Sequence, residues 1–344
     1  RNLGYFSKVS VQTLRGSTPE QSVTSVTVRE QSTGDFSIGF GYSSLTQAGV
    51  TLGINERNFL GTGRRLNLSL SASGENTDFT IGLTEPYFMD RDLTGSVDIF
   101  KRKNKSGETT VNETGLSLGL GFAAARDVYH RLRYDLSQSK TTVSQTTATS
   151  STGEEGKSLL GSSVAYTLSK DTRDSRFDPT EGYFLELSET ASGFGGDVKF
   201  LRSKFSAAYY KSLLFKSVIV GVSGKVGHIS GLGDNVTQSK RFYLGGGAVR
   251  GFDYSGIGPR DAGSGDGVGG NTMYSGRVEL LSNVGLDNDT GVRWTVFSDF
   301  GSLWGTDYPT NVTEADANDI RASLGLGFYW STAIGPLSAI FDLH

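Results

Sequence analysis

The chain of 344 residues contains no cysteine, and this absence removes several classes of function at once. Without thiols there is no disulfide framework, no cysteine nucleophile and no sulfur-ligated metal site. The sequence also lacks any run of about 18 consecutive apolar residues, so it contains no transmembrane helix. The formal net charge is only −3, which gives no indication of nucleic-acid binding.

Proline is scarce, with six residues, whereas glycine is abundant, with 47. The hydrophobic fraction of 36% is low for a soluble protein with a packed core. It suits a membrane β-barrel, in which each strand turns one face to lipid and the other to a polar interior. A secreted barrel needs a signal peptide, yet Arg1 leads directly into a polar segment. We therefore expect this sequence to be a mature fragment.

From Gly34 onward, apolar residues alternate with small or polar ones along short segments, beginning with Phe36, Ile38, Phe40 and Tyr42. Strict alternation over about ten residues with aromatic ends is typical of transmembrane strands. The alternative is a soluble β-helix or sandwich, which strands this long and regular disfavour. We count fifteen such segments, at residues 36–42, 50–54, 66–70, 79–83, 93–99, 116–122, 132–136, 160–168, 183–187, 205–209, 218–222, 273–280, 292–301, 322–330 and 337–343.

The connections between these segments alternate in length, as in bacterial barrels with short periplasmic turns and long extracellular loops. The exception is residues 169–182, a longer turn on the periplasmic side. Its Asp171, Arg173 and Asp174 either cap the turn or bind a partner. The long connections, which we expect to be extracellular, are residues 101–114, 137–158, 189–199, 228–271 and 302–319.

Arg250 lies within the glycine- and aspartate-rich connection 228–271, in the sequence Gly-Gly-Gly-Ala-Val-Arg-Gly-Phe at residues 245–252. Strand side chains alternate between faces, so Glu279 and Asp299 both point away from the apolar faces of their strands. Arg250 is therefore predicted to be clamped in the lumen by these two carboxylates through charge-assisted hydrogen bonds. The expected role is to pin the long loop inside the barrel. The alternative is a solvated surface arginine.

These motifs, in this order, resemble those of the outer-membrane assembly-factor superfamily. The central match is Val249-Arg250-Gly251-Phe252, followed by a strand bearing Glu279 and then by Phe297-Ser298-Asp299-Phe300-Gly301. Each motif is weak alone, and the assignment rests on their order from about Gly4 to Leu337. The other matching segments are residues 58–63 (Asn-Phe-Leu-Gly-Thr-Gly), 85–88 (Glu-Pro-Tyr-Phe), 171–174 (Asp-Thr-Arg-Asp), 179–182 (Pro-Thr-Glu-Gly) and 335–337 (Gly-Pro-Leu).

The resemblance implies an all-β fold, a transmembrane antiparallel β-barrel with a C-terminal remnant of a periplasmic POTRA module. Strands at residues 5–14 and 22–29 are assigned to that module, which gives domains of 1–31 and 32–344. Bacterial single-chain barrels have even strand numbers, and the family pattern continues past Leu337 into a sixteenth strand. We therefore expect about 15 of 16 strands here, in a barrel that is C-terminally truncated. The sixteenth is called the closing strand below.

The function implied by the resemblance is the assembly and insertion of β-barrel proteins into the bacterial outer membrane. The implied mechanism is edge-strand templating at a lateral seam between the first strand and the closing strand, where substrate strands add by backbone pairing. Glycine weakens a strand, consistent with a weak seam. The alternative is a protein-secretion or transport pore of the same superfamily. The seam strand comprises Phe36, Ile38, Gly39, Phe40, Gly41 and Tyr42.

The implied location is the outer membrane of a Gram-negative bacterium, with the N-terminal portion in the periplasm. The implied partners are unfolded outer-membrane β-barrel substrates, outer-membrane lipoprotein subunits of the assembly machinery and the lipid bilayer. We expect no enzymatic activity, no cofactor and no metal site. Insertion needs no nucleotide because burial of the substrate's apolar surface in lipid releases the free energy. The histidines at 130, 228 and 344 are scattered along the chain.

Overall fold

The computed structural model begins with an antiparallel hairpin of β1 (Phe6–Arg15) and β2 (Ser22–Glu30), each predicted from the sequence to within one residue at either end. The hydroxyl of Tyr5, just before β1, lies 3.2 Å from the carbonyl oxygen of Arg57 and so contacts the next part of the chain. The structure describes residues 4–18, 20–43, 47–74, 76–106, 109–143, 156–213, 218–283, 292–307, 312–313, 319–332 and 335–344.

Fifteen further strands form a single antiparallel sheet in which nearly every strand pairs with its neighbours in sequence. The predicted all-β barrel of fifteen strands is confirmed. A separate short ribbon pairs β14 (Arg260–Asp261) with β17 (Val312–Thr313). The strands of the large sheet are β3 (Gly34–Ser43), β4 (Gln47–Phe59), β5 (Arg64–Ser73), β6 (Asn76–Glu85), β7 (Thr94–Ser106), β8 (Thr109–Ala125), β9 (Val128–Val143), β10 (Ser158–Asp171), β11 (Gly182–Ser192), β12 (Phe200–Leu213), β13 (Val218–Gly231), β15 (Thr272–Asn283), β16 (Val292–Trp304), β18 (Arg321–Thr332) and β19 (Gly335–Leu343).

The two faces of the sheet differ as the alternation predicts. On β8, Leu118 and Leu120 are exposed whereas Ser117, the residue before Leu118, is buried, as is Phe100 on β7. On β16, Phe300 is exposed whereas Phe297 is buried. The outer face is thus apolar and open to lipid, and the inner face is packed or polar, the arrangement of a membrane barrel.

The prediction of a long loop at residues 101–114 is wrong. β7 continues to Ser106 and β8 begins at Thr109, and Asn104 pairs with Val111 in an extended hairpin. The strands continue because the backbone ladder satisfies its own hydrogen bonds beyond the apolar band, where polar side chains replace lipid-facing ones. β9 likewise continues to Val143, within the predicted loop 137–158. Residues 144–155 of that loop lie outside the described residues.

A buried apolar cluster lies inside the sheet, formed by the connection between β13 and β15 packed against the strands. It combines connection residues with residues of the wall, such as Phe200 and Leu303. The connection thus lies within the lumen. Its members are Val198, Phe200, Ile229, Val236, Phe242, Leu244, Val249, Ile257 and Leu303.

Short 3₁₀ turns occur at Phe88–Asp90 and Gln238–Lys240. Across the described residues, no helix has the length and apolar character needed to cross a membrane.

Candidate functional site

The connection between β13 and β15, residues 232–271, is here called the lumenal loop. Phe242 and Gly270 exchange two backbone hydrogen bonds, of 3.0 and 2.9 Å, and the amide of Ile257 donates to the carbonyl of Leu244 at 3.1 Å. Gly245 has φ +130°, and a Cβ there would lie 1.9 Å from the carbonyl oxygen of Asp253, so only glycine fits this turn. Internal pairing and a shared apolar core explain how a glycine-rich segment holds one conformation.

Arg250 lies at the inner end of this loop and is fixed by Asp299 of β16. Its Nε donates to Oδ2 at 2.7 Å, its Nη2 to Oδ1 at 2.8 Å, and its backbone N–H to Oδ2 at 3.1 Å. The guanidinium also lies over the ring of Phe297, with Cζ 3.4 Å from the ring centroid. Asp299 is 0% exposed, so this bidentate pair is screened from water.

Arg277 of β15 is a second guanidinium on the same carboxylate, which sequence reasoning missed. Its Nε donates to Oδ1 of Asp299 at 2.9 Å and its Nη2 to Oδ2 at 3.1 Å. Nη2 also donates to the carbonyl oxygen of Gly247 at 2.8 Å, which ties β15 directly to the lumenal loop. The alternation of side chains along β15 puts Arg277 on the inner face together with Glu279. Its contact with Asp299, however, follows from the strand register, which pairs these two residues across β15 and β16.

Glu279 interacts with Arg250 more weakly than the predicted clamp of two hydrogen-bonded carboxylates requires. Its Oε2 lies 3.7 Å from Nη2 of Arg250, within ion-pair distance but beyond a hydrogen bond. The reason is the register, which sets Glu279 opposite Phe297 and not opposite Arg250's partner Asp299. The cluster is therefore one carboxylate shared by two guanidinium groups, with a second carboxylate balancing the charge. Two positive and two negative groups leave no net charge in the cluster.

Gly251 and Phe252 extend from the cluster to the edge strand β19. Gly251 has φ +91°, and a Cβ there would lie 2.3 Å from Oδ2 of Asp342. The ring of Phe252 lies 5.0 Å from that of His344. Gly251 is therefore required both by its backbone conformation and by the close approach to β19.

Basic side chains hold the outer part of the lumenal loop, and the sequence did not identify them. Nζ of Lys240 donates to Oε1 of Glu113 on β8 at 2.7 Å, reaching a wall strand distant in sequence. The buried guanidinium of Arg241 donates to the carbonyl oxygens of Val236 and Val268 at 3.2–3.3 Å. Arg202 of β12 donates to the carbonyl of Lys240. Such contacts depend on loop conformation, which has no periodic signal.

The predicted seam strand is β3, one of the two edges of the sheet, the other being β19. β3 pairs with β4 along its whole length, from Gly34 opposite Glu56 to Ser43 opposite Gln47. Its apolar side chains are uncovered, with Phe40 80% and Tyr42 81% exposed. A Cβ at Gly41 would meet nothing within 4 Å. Among the described strands β3 thus pairs with β4 alone, and nothing packs over the Cα of Gly41.

The turn between β10 and β11 contains Asp171, Arg173 and Asp174, for which the sequence left capping of the turn and partner binding as alternatives. Nε and Nη2 of Arg173 donate to the two carboxylate oxygens of Asp171 at 2.8 and 2.9 Å. Asp174 accepts bonds from the hydroxyl and amide of Thr180 and from the amide of Glu181, which lower the pKa of its carboxyl. These contacts cap the turn. Asp178 additionally pairs with Arg293 of β16, so the turn reaches across to a distant strand.

In the described part of the chain, no group of three or more histidine, aspartate or glutamate side chains could hold a metal ion. His130 stacks on Phe122 with ring centroids 4.9 Å apart, and Nδ1 of His228 lies 2.8 Å from the Thr272 hydroxyl. Both histidines therefore have structural partners on neighbouring strands.

Comparison with known proteins assigns the chain that forms this site to a family. A model of the Omp85 superfamily domain matches residues 58–342, which include β5 to β18, the lumenal loop and the Arg250 cluster. The chain belongs to the Omp85 superfamily. The resemblance seen in the sequence motifs is thereby confirmed.

The relatives of this Omp85 chain include outer membrane protein assembly factors. BamA of Neorickettsia risticii is 28% identical over 340 residues, covering 98% of this chain and 46% of the relative. BamA of Nitratidesulfovibrio vulgaris is 30% identical over 343 residues, covering 97% of this chain and 42% of the relative. The chain thus spans less than half the length of these two curated relatives.

The fold is shared with a solved BamA barrel. The crystal structure of BamA from Haemophilus ducreyi lacking POTRA domains 1–3 aligns with a TM-score of 0.87 at 23% identity, over 99% of this chain and 72% of that one. The matched barrel and the bacterial relatives place this chain in the outer membrane of a Gram-negative bacterium, as expected.

Proposed function

We propose that this Omp85 barrel assembles β-barrel proteins and inserts them into the bacterial outer membrane by edge-strand templating at the seam. The observation that supports the proposal is that β3, the first strand of the sheet, pairs with β4 on one side, so that its other side is the one that the closing strand or a substrate strand would pair with. An edge strand presents a row of N–H and C=O groups that a further strand can pair with. Unfolded outer-membrane β-barrel proteins supply such strands.

Unpaired backbone N–H and C=O groups are unfavourable in hydrocarbon, and this favours the addition of a substrate strand over an unpaired edge. A substrate strand that adds to β3 satisfies its own backbone and that of β3 together. Each strand so added also buries an apolar face in lipid, at roughly 25 cal/mol per Å² of apolar area. No nucleotide or cofactor is needed for the step. The bare surroundings of Gly41 make the β3 edge weakly held, which favours its opening.

The Arg250, Glu279 and Asp299 cluster, with Gly251 and Phe252, serves in this proposal to anchor the lumenal loop. Arg250 joins the loop to β16, Arg277 joins it to β15, and Gly251 brings it against β19. The loop thereby braces the wall on the β19 side of the seam. This bracing keeps one side rigid while the β3 side stays available.

Residues 1–31, which contain the β1–β2 hairpin, are proposed to be the end of the last periplasmic POTRA module, and residues 32–344 the barrel. The contact of Tyr5 with Arg57 supports a fixed junction on the same side as the β4–β5 turn. The proposed partners of the full-length protein also include outer-membrane lipoprotein subunits of the assembly machinery. Their support is the sequence resemblance to assembly factors.

A disulfide test of templating profits from the absence of native cysteine. In the full-length protein, one cysteine replaces Gly39 on β3 and a second is placed opposite it in the closing strand. The matched control pair, Ser37→Cys with Gly53→Cys, links β3 to β4, where the two positions are paired and a Cβ at residue 53 would lie 2.5 Å from Oγ of Ser37. Insertion of a substrate barrel into proteoliposomes is measured with each pair oxidised and reduced.

We expect oxidation of the seam pair to block insertion, reduction to restore it, and the control pair to be active in both states. Heat-modifiable gel mobility verifies that every variant is folded. Equal insertion with the seam pair oxidised and reduced would contradict templating at β3. That outcome would instead favour the alternative of a protein-secretion or transport pore.

A further inference from the structure

A groove of about 510 Å³ lies across the outer, lipid-facing surface of β5 to β10, away from the seam and the lumenal loop. Its lining is apolar except for the charged pair Arg64 and Glu85 at one end and for Ser96, Arg133 and Tyr134. The apolar lining includes Leu83, Phe88, Val97, Leu118, Leu120 and Leu132. The proposed assembly function uses none of these residues.

The shape of the groove follows from strand register and one missing side chain. Leu83 pairs with Val97 and Val97 with Leu118, which forms one continuous apolar row. The next row begins with Glu85 opposite Gly95 and continues through Leu120 and Leu132. Gly95 has no side chain, so the groove is deeper at its position in this row. Phe88 folds over it, since a Cβ at Gly95 would lie 3.0 Å from the Phe88 ring, and so walls that end.

The charged pair at this end is Arg64 and Glu85, with Nε of Arg64 2.7 Å from Oε2 of Glu85. Their side chains are 50% and 27% exposed, so both remain open to a ligand. They lie directly beside the β4–β5 and β6–β7 turns, on the side where the short periplasmic turns cluster. Lipid headgroups lie at this level of a barrel, just outside the apolar band.

The groove is inclined from this charged end into the membrane. Glu85 is the last residue of β6 and adjoins its turn, whereas Leu132, four residues on from Val128, lies well inside β9. Neighbouring strands of a barrel are tilted and staggered, so a row of paired residues that crosses them moves deeper into the membrane from one strand to the next. A chain that starts at Arg64 and Glu85 and follows the row therefore enters the hydrocarbon.

We propose that the groove is a binding site for one zwitterionic phospholipid of the periplasmic leaflet. One acyl chain lies along the Leu120–Leu132 row, the phosphate meets the Arg64 guanidinium, and the headgroup ammonium meets the Glu85 carboxylate. Charge complementarity supports this occupant. The headgroup carries one negative charge, on the phosphate, that matches the Arg64 guanidinium, and one positive charge, on the ammonium, that matches the Glu85 carboxylate. The proposal rests on the membrane location of the barrel and is independent of templating.

The test is native mass spectrometry of the full-length protein released from mild detergent, after titration with dioleoylphosphatidylethanolamine or with dioleoylglycerol, which lacks the headgroup. Leu120→Trp fills the groove, and Leu132→Trp is a second filling variant. Ile99→Trp places the same side chain on the outer face of β7 away from the groove. Arg64→Ala removes the phosphate contact, and Arg126→Ala is its exposed control in the β8–β9 turn.

We expect one retained phosphatidylethanolamine per barrel in the wild type and in the Ile99→Trp and Arg126→Ala variants. Both filling variants should lose it, and Arg64→Ala should weaken it about tenfold, the loss of one charge-assisted contact, without changing diacylglycerol binding. Equal retention in Leu120→Trp, Leu132→Trp and Ile99→Trp would show an annular lipid only and overturn the proposal. Dimers in the wild type that Leu120→Trp abolishes would assign the groove to a second copy instead.

Discussion

The β15–β16 wall and the β3 edge have the same alternating pattern of apolar and polar residues. They differ in how many hydrogen bonds their polar groups make and in how far their side chains are buried. On β16, Asp299 accepts five hydrogen bonds from Arg250 and Arg277 and is fully buried. On β3, the one pairing partner among the described strands is β4, and Phe40 and Tyr42 are largely exposed. In the proposed mechanism one side of the barrel is therefore a scaffold and the other a reactive edge, and side-chain chemistry in the lumen, more than strand pattern, distinguishes them.

The largest effect is expected from removing the carboxylate that the scaffold shares. Asp299→Ala leaves the buried guanidinium of Arg250 and the partly buried guanidinium of Arg277 without a hydrogen-bonding anion, and we predict a loss of about 3–5 kcal/mol in the free energy of unfolding. Denaturant unfolding in detergent measures it. The control is Asp78→Ala, which removes an ion pair with Arg102 that is partly exposed and should cost about 1 kcal/mol or less. Similar losses in both variants would remove the contrast.

Arg250→Ala should have a smaller effect, because Asp299 keeps its two bonds from Arg277. We predict a folded barrel destabilised by about 2 kcal/mol, with a freed lumenal loop and impaired insertion activity. Limited proteolysis within residues 232–271 reports the loop directly. Arg260→Ala in the same loop, whose bonds go to nearby loop carbonyls, is the matched control. Unchanged protease resistance after Arg250→Ala would contradict the anchoring role.

Gly251→Ala tests whether the scaffold reaches the edge strand β19. The positive φ and the 2.3 Å approach to Asp342 should together cost about 1–2 kcal/mol. Adding Asp342→Gly removes the steric part, so the double variant should recover some stability while the backbone strain remains. A thermal-melting double-mutant cycle measures this coupling. Strict additivity of the two substitutions would show that loop and edge strand do not contact.

The smallest effect is expected at the β10–β11 turn, where Asp174 is exposed and its hydrogen bonds lower the pKa of its carboxyl. A lowered folded-state pKa contributes stability that is complete above the unfolded value of about 3.9 and is lost as pH falls through the folded value. Amide exchange of residues 172–181 should therefore accelerate below about pH 4 more than that of the β8–β9 turn. Asp174→Asn should abolish the difference; equal acceleration in both turns would contradict it.

Periodicity made the wall predictable, and register and loop conformation made the rest unpredictable. Alternation placed Asp299, Glu279 and Phe297 on the inner face, because strand side chains have a fixed period of two. It could not rank Asp299 above Glu279, since that depends on which residues pair across β15 and β16. The contacts of Lys240 with Glu113 and of Gly247 with Arg277 depend on the folded lumenal loop. The extended β7–β8 hairpin was missed because its strands lose apolar residues while keeping their backbone pairing.

The most direct measurement of the central proposal is site-specific disulfide trapping of a substrate during insertion. Single cysteines replace Phe40 on the β3 edge and, as a control, Phe300 on the outer face of β16, and each is paired with cysteines scanned along a terminal substrate strand. We predict trapping at residue 40 with a two-residue period along the substrate, the period of strand pairing, and background trapping at residue 300. Equal trapping at both positions, or none at residue 40 while insertion proceeds, would contradict templating by the β3 edge.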